Sequence, residues 1–238
     1  MRLSLFIIAF SILLISCNDD KDNGNLTVRG SIDGLKVGKV LLQKTVDTSL
    51  ITIDSVSLDG SGDYSLSATI DEPQLLYLYL DVKDGTQYDD RIAFFAEDTV
   101  MTINSSLNNF EKDAVITGSK NQIVLAEFNK NKDKLNEVYT NLMKRSMSLN
   151  QEENPSQASI DSLNTEYEKY LKKRILYAVN YATFHKEKAV APYILLQEGF
   201  DANPVLLDSI YKQMPKKIQT SMYGTRLSEL IKESKSNL

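Results

Sequence analysis

Asp59, Ser61 and Asp63 put three side-chain oxygens at alternate places of the stretch DGSGD, the first, third and fifth positions of a calcium-binding loop. A cation held there would need a glycine at the sixth position and a bidentate glutamate at the twelfth. Tyr64 and Ile70 stand there instead, so the stretch reads as a polar hairpin turn. The acid pairs Asp89-Asp90, Glu97-Asp98 and Glu152-Glu153 could supply a general acid and its partner if their carboxyl groups met across a cleft at roughly 5–10 Å. Adjacency in sequence does not bring them together in space, and their turn positions read as solvated loops. His185 is the only histidine and lies beside Phe184 near a predicted helix end, so neither a multi-histidine metal site nor a Ser-His-Asp triad can be assembled. Lys172-Lys173-Arg174 and Lys216-Lys217 fall on polar helix faces, which reads as wetted surface and not as a lipid-headgroup patch. No glycine-rich phosphate loop is present. No catalytic, cofactor-binding or metal-binding residue, and no cofactor, is therefore expected. With 27 Lys+Arg against 32 Asp+Glu the chain carries a formal charge of −5, which repels a phosphate backbone; nucleic acid is not an expected partner.

The single cysteine, Cys17, has a clearer context. Arg2 precedes an apolar run of 13 residues, Leu3 to Ile15, which fits the core of an export signal and is short of the roughly 20 residues that span a bilayer. Leu14-Ile15-Ser16-Cys17 resembles the lipobox of bacterial lipoproteins. That resemblance implies that residues 1–16 are a signal peptide that is removed, and that the Cys17 thiol receives a diacylglycerol and becomes the first mature residue. An uncleaved anchor helix or a buried free cysteine are the other readings. Acyl chains gain about 0.8 kcal/mol per buried methylene, and two or more chains hold a protein firmly on a membrane. With Cys17 acylated, no thiol remains for disulfide exchange, nucleophilic attack or zinc ligation. Residues 17–25 then form the lipidated cysteine and an acidic tether. Its NDDKDNGN segment contains no hydrophobic residue, and fully extended it spans roughly 25–30 Å. The acidic block is similar to signals that send some lipoproteins to the outer face of diderm cells, and it also reads as a plain solvated spacer. The expected location is the bacterial cell envelope, anchored by lipid to the outer membrane and facing the periplasm or the surface.

The rest of the chain must fold around these residues. It is 42% hydrophobic and 25% charged, with twelve tyrosines and eight phenylalanines to fill a core in place of the absent tryptophan. Over residues 26–117 the apolar period is two. Leu26, Val28 and Ile32 alternate, Tyr64, Leu66, Ala68 and Ile70 alternate, and Asp33-Gly34, the DGSG stretch and Asp84-Gly85 supply turns. About eight strands are expected, near residues 26–32, 39–45, 50–58, 63–70, 75–81, 91–96, 99–104 and 113–117. The apolar phase slips between Ile53 and Val56, which predicts a bulge at Asp54-Ser55. LLYLYL, residues 75–80, is apolar on both faces and reads as a strand covered on both sides; the alternative is an exposed Tyr77–Tyr79 ladder for sugars or peptides.

From Gly118-Ser119 the period becomes helical. Val124, Phe128, Leu135, Val138 and Leu142 form one stripe. Ile160, Leu163, Tyr167, Leu171, Ile175, Ala178 and Ala182 form a second, which Asn154-Pro155 is expected to start. A short helix ends at Gly199, Asn203-Pro204 opens another, and a last one runs from about Thr225. The fold class is therefore α+β: an N-terminal antiparallel β-sandwich or barrel-like unit over residues 26–117, followed by a helical array of about five helices over 118–238 that packs on or follows it.

The order of VRGSIDGLKVGKVLLQK (28–44), ITIDSVSLDGSGDYSLSATI (51–70), IAFFAEDTVMTIN (92–104), ITGSKNQ (116–122), APYILLQ (191–197) and SMYGTRL (221–227) resembles a domain of unknown function that precedes thioredoxin-like domains, of the TlpA or AhpC/TSA type, in envelope lipoproteins of diderm bacteria. In longer members the thioredoxin-like domain carries a redox cysteine pair. This chain, ending at Leu238, is read as lacking that domain, which takes on the order of 100 residues. The function expected is that of a non-catalytic, lipid-anchored envelope protein acting as an interaction or ligand-binding module, with a separate thioredoxin-like oxidoreductase as partner. A carboxylate-dependent hydrolase and a glycan- or peptide-binding lipoprotein are the alternatives.

Overall fold

The computed structural model describes residues 24–82 and 90–236. Cys17 and the Asp84-Gly85 turn lie outside them. Eight strands come first: β1 (Leu26–Asp33), β2 (Val37–Val46), β3 (Ser49–Asp59), β4 (Asp63–Ala68), β5 (Gln74–Asp81), β6 (Arg91–Ala96), β7 (Val100–Ser106) and β8 (Val115–Thr117). They form two four-stranded sheets, β4-β1-β7-β8 and β3-β2-β5-β6. Alternate residues of both sheets face inward. Leu26, Val28 and Ile32 on β1 meet Val40 and Leu42 on β2, Leu76, Leu78 and Leu80 on β5, and Phe94 on β6 in one buried cluster. Each such side chain contributes about 1.5–3 kcal/mol by leaving water. The expected α+β class and sandwich are what the chain forms.

Three features differ in detail from the sequence reading. The β1–β7 pairing is parallel, while all the others are antiparallel. This is compatible with chain order, because the four strands of the second sheet and β4 lie between β1 and β7 in sequence and supply the long return a parallel pair needs. Second, Asp33-Gly34 makes the expected turn between strands, but the DGSGD stretch is not a hairpin turn: β3 leads into β4, as β1 leads into β2, by crossing from one sheet to the other. Gly34 (φ 81°) and Gly60 (φ 97°) make the sharp reversals, and the Gly60 amide donates to the Lys36 carbonyl at 2.7 Å, tying the two crossings together. The hydroxyl of Ser61 donates to Asp63 Oδ2 at 3.2 Å, so these oxygens serve the connection itself. Third, the bulge lies one residue earlier than expected: pairing jumps from Leu42 opposite Asp54 to Gln43 opposite Thr52, which leaves Ile53 as the extra residue. The kink turns the Asp54 carboxylate toward the other sheet, where Oδ2 accepts from the Ser67 amide at 2.8 Å and bridges the β3 and β4 edges.

A close backbone approach marks the first sheet. A Cβ on Gly30 would sit 1.8 Å from the Ile103 carbonyl oxygen, so only glycine fits there. The ring of Tyr64, directly opposite Gly30 on β4, passes over the vacant side and donates its hydroxyl to that same carbonyl at 2.6 Å. Burial pushes the Tyr64 phenol well above its ordinary range, so it stays a donor. Tyr64→Phe should leave a buried acceptor unsatisfied and lower stability by about 1–2 kcal/mol in urea unfolding; an unchanged midpoint would contradict the assignment.

Six helices follow: α1 (Lys120–Asn150), α2 (Gln157–Phe184), α3 (Val190–Glu198), α4 (Pro204–Gln213), α5 (Lys216–Gln219) and α6 (Met222–Ser236). Asn203 caps α4 as expected, its Oδ1 accepting from the Val205 amide at 2.9 Å with Pro204 as the first helical residue. For α2 the cap is Ser156 and not Asn154: Ser156 Oγ accepts from the Ser159 amide at 3.2 Å. The single turn of α5 and the start of α6 at Met222 were not expected, because Pro215 and the polar run after it hide one turn of helix. Val124 and Phe128 at the start of α1 and Ala178, Val179 and Ala182 at the end of α2 enter the helical core. Val138, expected inward, is 47% exposed, since the distal parts of α1 and α2 face each other through Leu142 and Tyr170 and project from the body. Among the described residues no helix is long and apolar enough to cross a membrane.

Candidate functional site

The outer face of β5 and β6 supplies the floor on which the helices sit. Phe94 and Ala96 point into the sandwich, so Phe95 points the other way, fully buried among helical residues. Its ring centroid lies 5.7 Å from that of Tyr193 on α3 and 5.8 Å from that of Tyr223 on α6, and those two tyrosines meet edge-on at 5.2 Å. Leu75 packs against the same cluster. LLYLYL is thus covered on its second face in part: Tyr77 and Tyr79 are half-buried, with the Arg91 guanidinium 5.0 Å above the Tyr79 ring.

Polar side chains lock this junction. Ser119 caps α1 by accepting from the Gln122 amide at 3.0 Å. The Gln122 Oε1 accepts from the Phe95 amide at 2.7 Å, covering the open edge of β6. Asn121 donates to Glu97 Oε2 at 2.7 Å and accepts from the Val190 amide of α3 at 3.1 Å, while Glu97 Oε1 takes the Lys120 amide. Glu72 does the same for α6, receiving the Met222 amide on both oxygens at 2.9 and 3.1 Å. Both glutamates therefore neutralise helix N-termini and pin those helices to the sandwich. Glu97, expected in a solvated loop, is instead half-buried and fully engaged, and nothing in the sequence around Glu72 marks its role. The signal for the α1 anchor was present as Ser119-x-x-Gln122, the pattern of a capping box, although Gln122 here reaches Phe95 and not the cap.

Cavities open along this seam, and two of them lie beside the anchors of α6. The first, about 460 Å³, brings Asp71, Glu72, Glu97 and Asp98 together with Lys120 and Lys217. The chain enters beside it, because Asn25 exchanges two hydrogen bonds with the backbone of Ile70, at 2.8 and 2.9 Å. The second cavity, about 220 Å³, lies where β2 separates from β5. Pairing between those strands stops at Gln43–Tyr77, and the next free amide, that of Leu75, donates to the Tyr223 hydroxyl at 3.1 Å. Tyr77, Tyr193, Gln197 and Arg226 line this space. Burial, with Tyr223, Tyr77 and Glu198 nearby, pushes the Tyr193 phenol up to about 12, and burial also raises Tyr223. Both remain neutral hydrogen-bond donors in ordinary conditions.

The other residues noted in the sequence stay apart from these cavities, except Lys217. His185 ends α2 between the rings of Tyr181 and Phe184, at 4.5 and 4.9 Å. Glu152 and Glu153 are exposed between α1 and α2, and Arg174 pairs with Asp201 at 3.2 Å. Asp89 and Cys17 fall outside the described residues. Among the described residues no group of three or more His, Cys, Asp or Glu side chains could hold a metal ion.

Residues 26–125 match the family model of a domain of unknown function, DUF4369. No curated protein matches the chain. The DUF4369 match spans both sheets and ends at Leu125, inside the first turns of α1, so it takes in the whole Ser119–Gln122 anchor. Tyr193, Tyr223 and Arg226, on the helices that complete the second cavity, lie beyond it.

Proposed function

We propose that this chain is a lipid-anchored, non-catalytic protein of the bacterial cell envelope, in which the DUF4369 sandwich and the helical array together form a binding module. The observation that carries this reading is the engagement of Glu72 and Glu97. The two glutamates of the acid-lined cavity hold helix amides and build the wall, which suits a rigid receptor. The lipobox-like Cys17 supports attachment to a membrane by lipid, and the acidic block that follows it supports the outer membrane. With Asn25 pinned to Ile70, residues 18–24 span at most about 25 Å, which keeps the body close to lipid headgroups.

The partner we favour is a separate thioredoxin-like oxidoreductase, supported by the resemblance to lipoproteins in which such a domain follows in the same chain. Affinity purification from detergent-solubilised membranes is expected to recover it; repeated recovery of no redox protein would remove this version. A carboxylate-dependent hydrolase is the second reading, favoured by the four acids around the larger cavity. It requires Asp71 or Asp98 to act, since both glutamates are engaged. It predicts hydrolytic turnover that the double substitution Asp71→Asn, Asp98→Asn abolishes.

A further inference from the structure

The 220 Å³ cavity beside β5 has walls unlike those of the larger one. Arg226 is the one charged side chain lining it among the described residues, and it makes no ion pair with any of them. The hydroxyls of Tyr77 and Tyr193 likewise have no hydrogen-bond partner among the described residues. The Gln74 and Gln197 amides and the Thr45 hydroxyl complete a rim rich in donors, and no carboxylate lines the space. One guanidinium beside phenol hydroxyls matches a single, planar negative charge, because a guanidinium holds a carboxylate through two parallel hydrogen bonds. A phosphate dianion would call for more positive charge than one arginine provides. The aromatic faces of Tyr77 and Tyr193 suit the apolar side of a sugar ring or a short aliphatic chain.

We infer that this cavity binds a small monocarboxylate, one sugar acid or one terminal amino-acid residue in size, with Arg226 on the carboxylate and the Tyr77 and Tyr193 hydroxyls on its remaining polar atoms. This inference rests on the binding-module reading and names its ligand chemistry. β2 and β5 frame the opening, and the Tyr223 hydroxyl, which takes the Leu75 amide, closes its inner end.

The test is calorimetric titration of the full mature chain, extracted in detergent, with four probes: D-glucuronate, D-glucose, N-acetylalanine and N-acetylalaninamide. At least one carboxylate should bind about tenfold or more tighter than its neutral counterpart. Arg226→Gln should erase that preference, and Tyr193→Phe should weaken binding of the preferred probe. The better of the two carboxylates identifies the source as saccharide or peptide terminus. Arg226 is exposed, so an unchanged thermal melt serves as the folding control for its variant. No binding of either carboxylate, equal binding of the neutral probes, or full affinity in Arg226→Gln would each overturn the inference. Equal binding of a neutral probe would leave the binding-module reading standing, whereas co-purification tests that reading independently.

Discussion

Phe95→Ala is expected to cost the fold about 4 kcal/mol, the middle of the range for deleting a buried aromatic ring. The size of the effect follows from position. Phe95 is fully buried, yet it belongs to the helical core although it stands on a strand, and its ring touches tyrosines from both α3 and α6. Truncation would open a cavity between the sandwich and the array, not within either. The loss should therefore also separate two events that are coupled in the native chain. Urea unfolding followed by far-ultraviolet circular dichroism, dominated by helix, should shift to lower denaturant than unfolding followed by hydrogen exchange of the β1 and β7 amides. Phe94→Ala, which hollows the sandwich itself, should instead move both probes together. A loss under about 1 kcal/mol for Phe95→Ala would mean that the helices are held by something other than this ring.

The second large effect concerns location. On the proposed reading, Cys17→Ser removes the sulfur that would carry the lipid, and with it the acyl chains, each of whose methylenes would gain about 0.8 kcal/mol on burial in the membrane. The variant is expected to leave the membrane fraction completely after a high-salt wash while the wild-type chain stays. Retention of the variant in the pellet would mean that protein contacts, or an uncleaved apolar segment, hold it there.

The strands were readable because a half-buried strand writes its burial into a period of two, and Leu26–Val28 and Tyr64–Leu66 do this plainly. Which strands pair was not readable. Asp33-Gly34 and Asp59-Gly60 announce reversals of direction, but glycine at positive φ serves a crossing between sheets as well as a hairpin, so the DGSGD stretch alone does not say which of the two it makes. Val138 shows the matching limit for helices: its place on the stripe is right, but a stripe cannot say where the helix leaves the body and loses its cover.

The junction was hidden for a different reason. Gln122 reaches the Phe95 amide 27 residues away, and Asn121 reaches the Val190 amide 69 residues away. The Glu72–Met222 contact spans 150 residues and Leu75–Tyr223 spans 148. No local pattern encodes such distances. Ser119-x-x-Gln122 and the two-faced LLYLYL were the only traces in the sequence, and they marked a capped helix and a covered strand without naming what each would touch. Arg226 has no signature in the sequence, because a lone arginine on a terminal helix face looks like any solvated charge until β5 and Tyr193 are set beside it.

Mass spectrometry of the amino-terminal peptide from membrane-extracted protein reads the state of Cys17 itself. The expected result is a chain that begins at Cys17 and carries a thioether-linked diacylglycerol on its sulfur. A chain that retains residues 1–16, or one whose Cys17 thiol is free to react with an alkylating reagent, would contradict it.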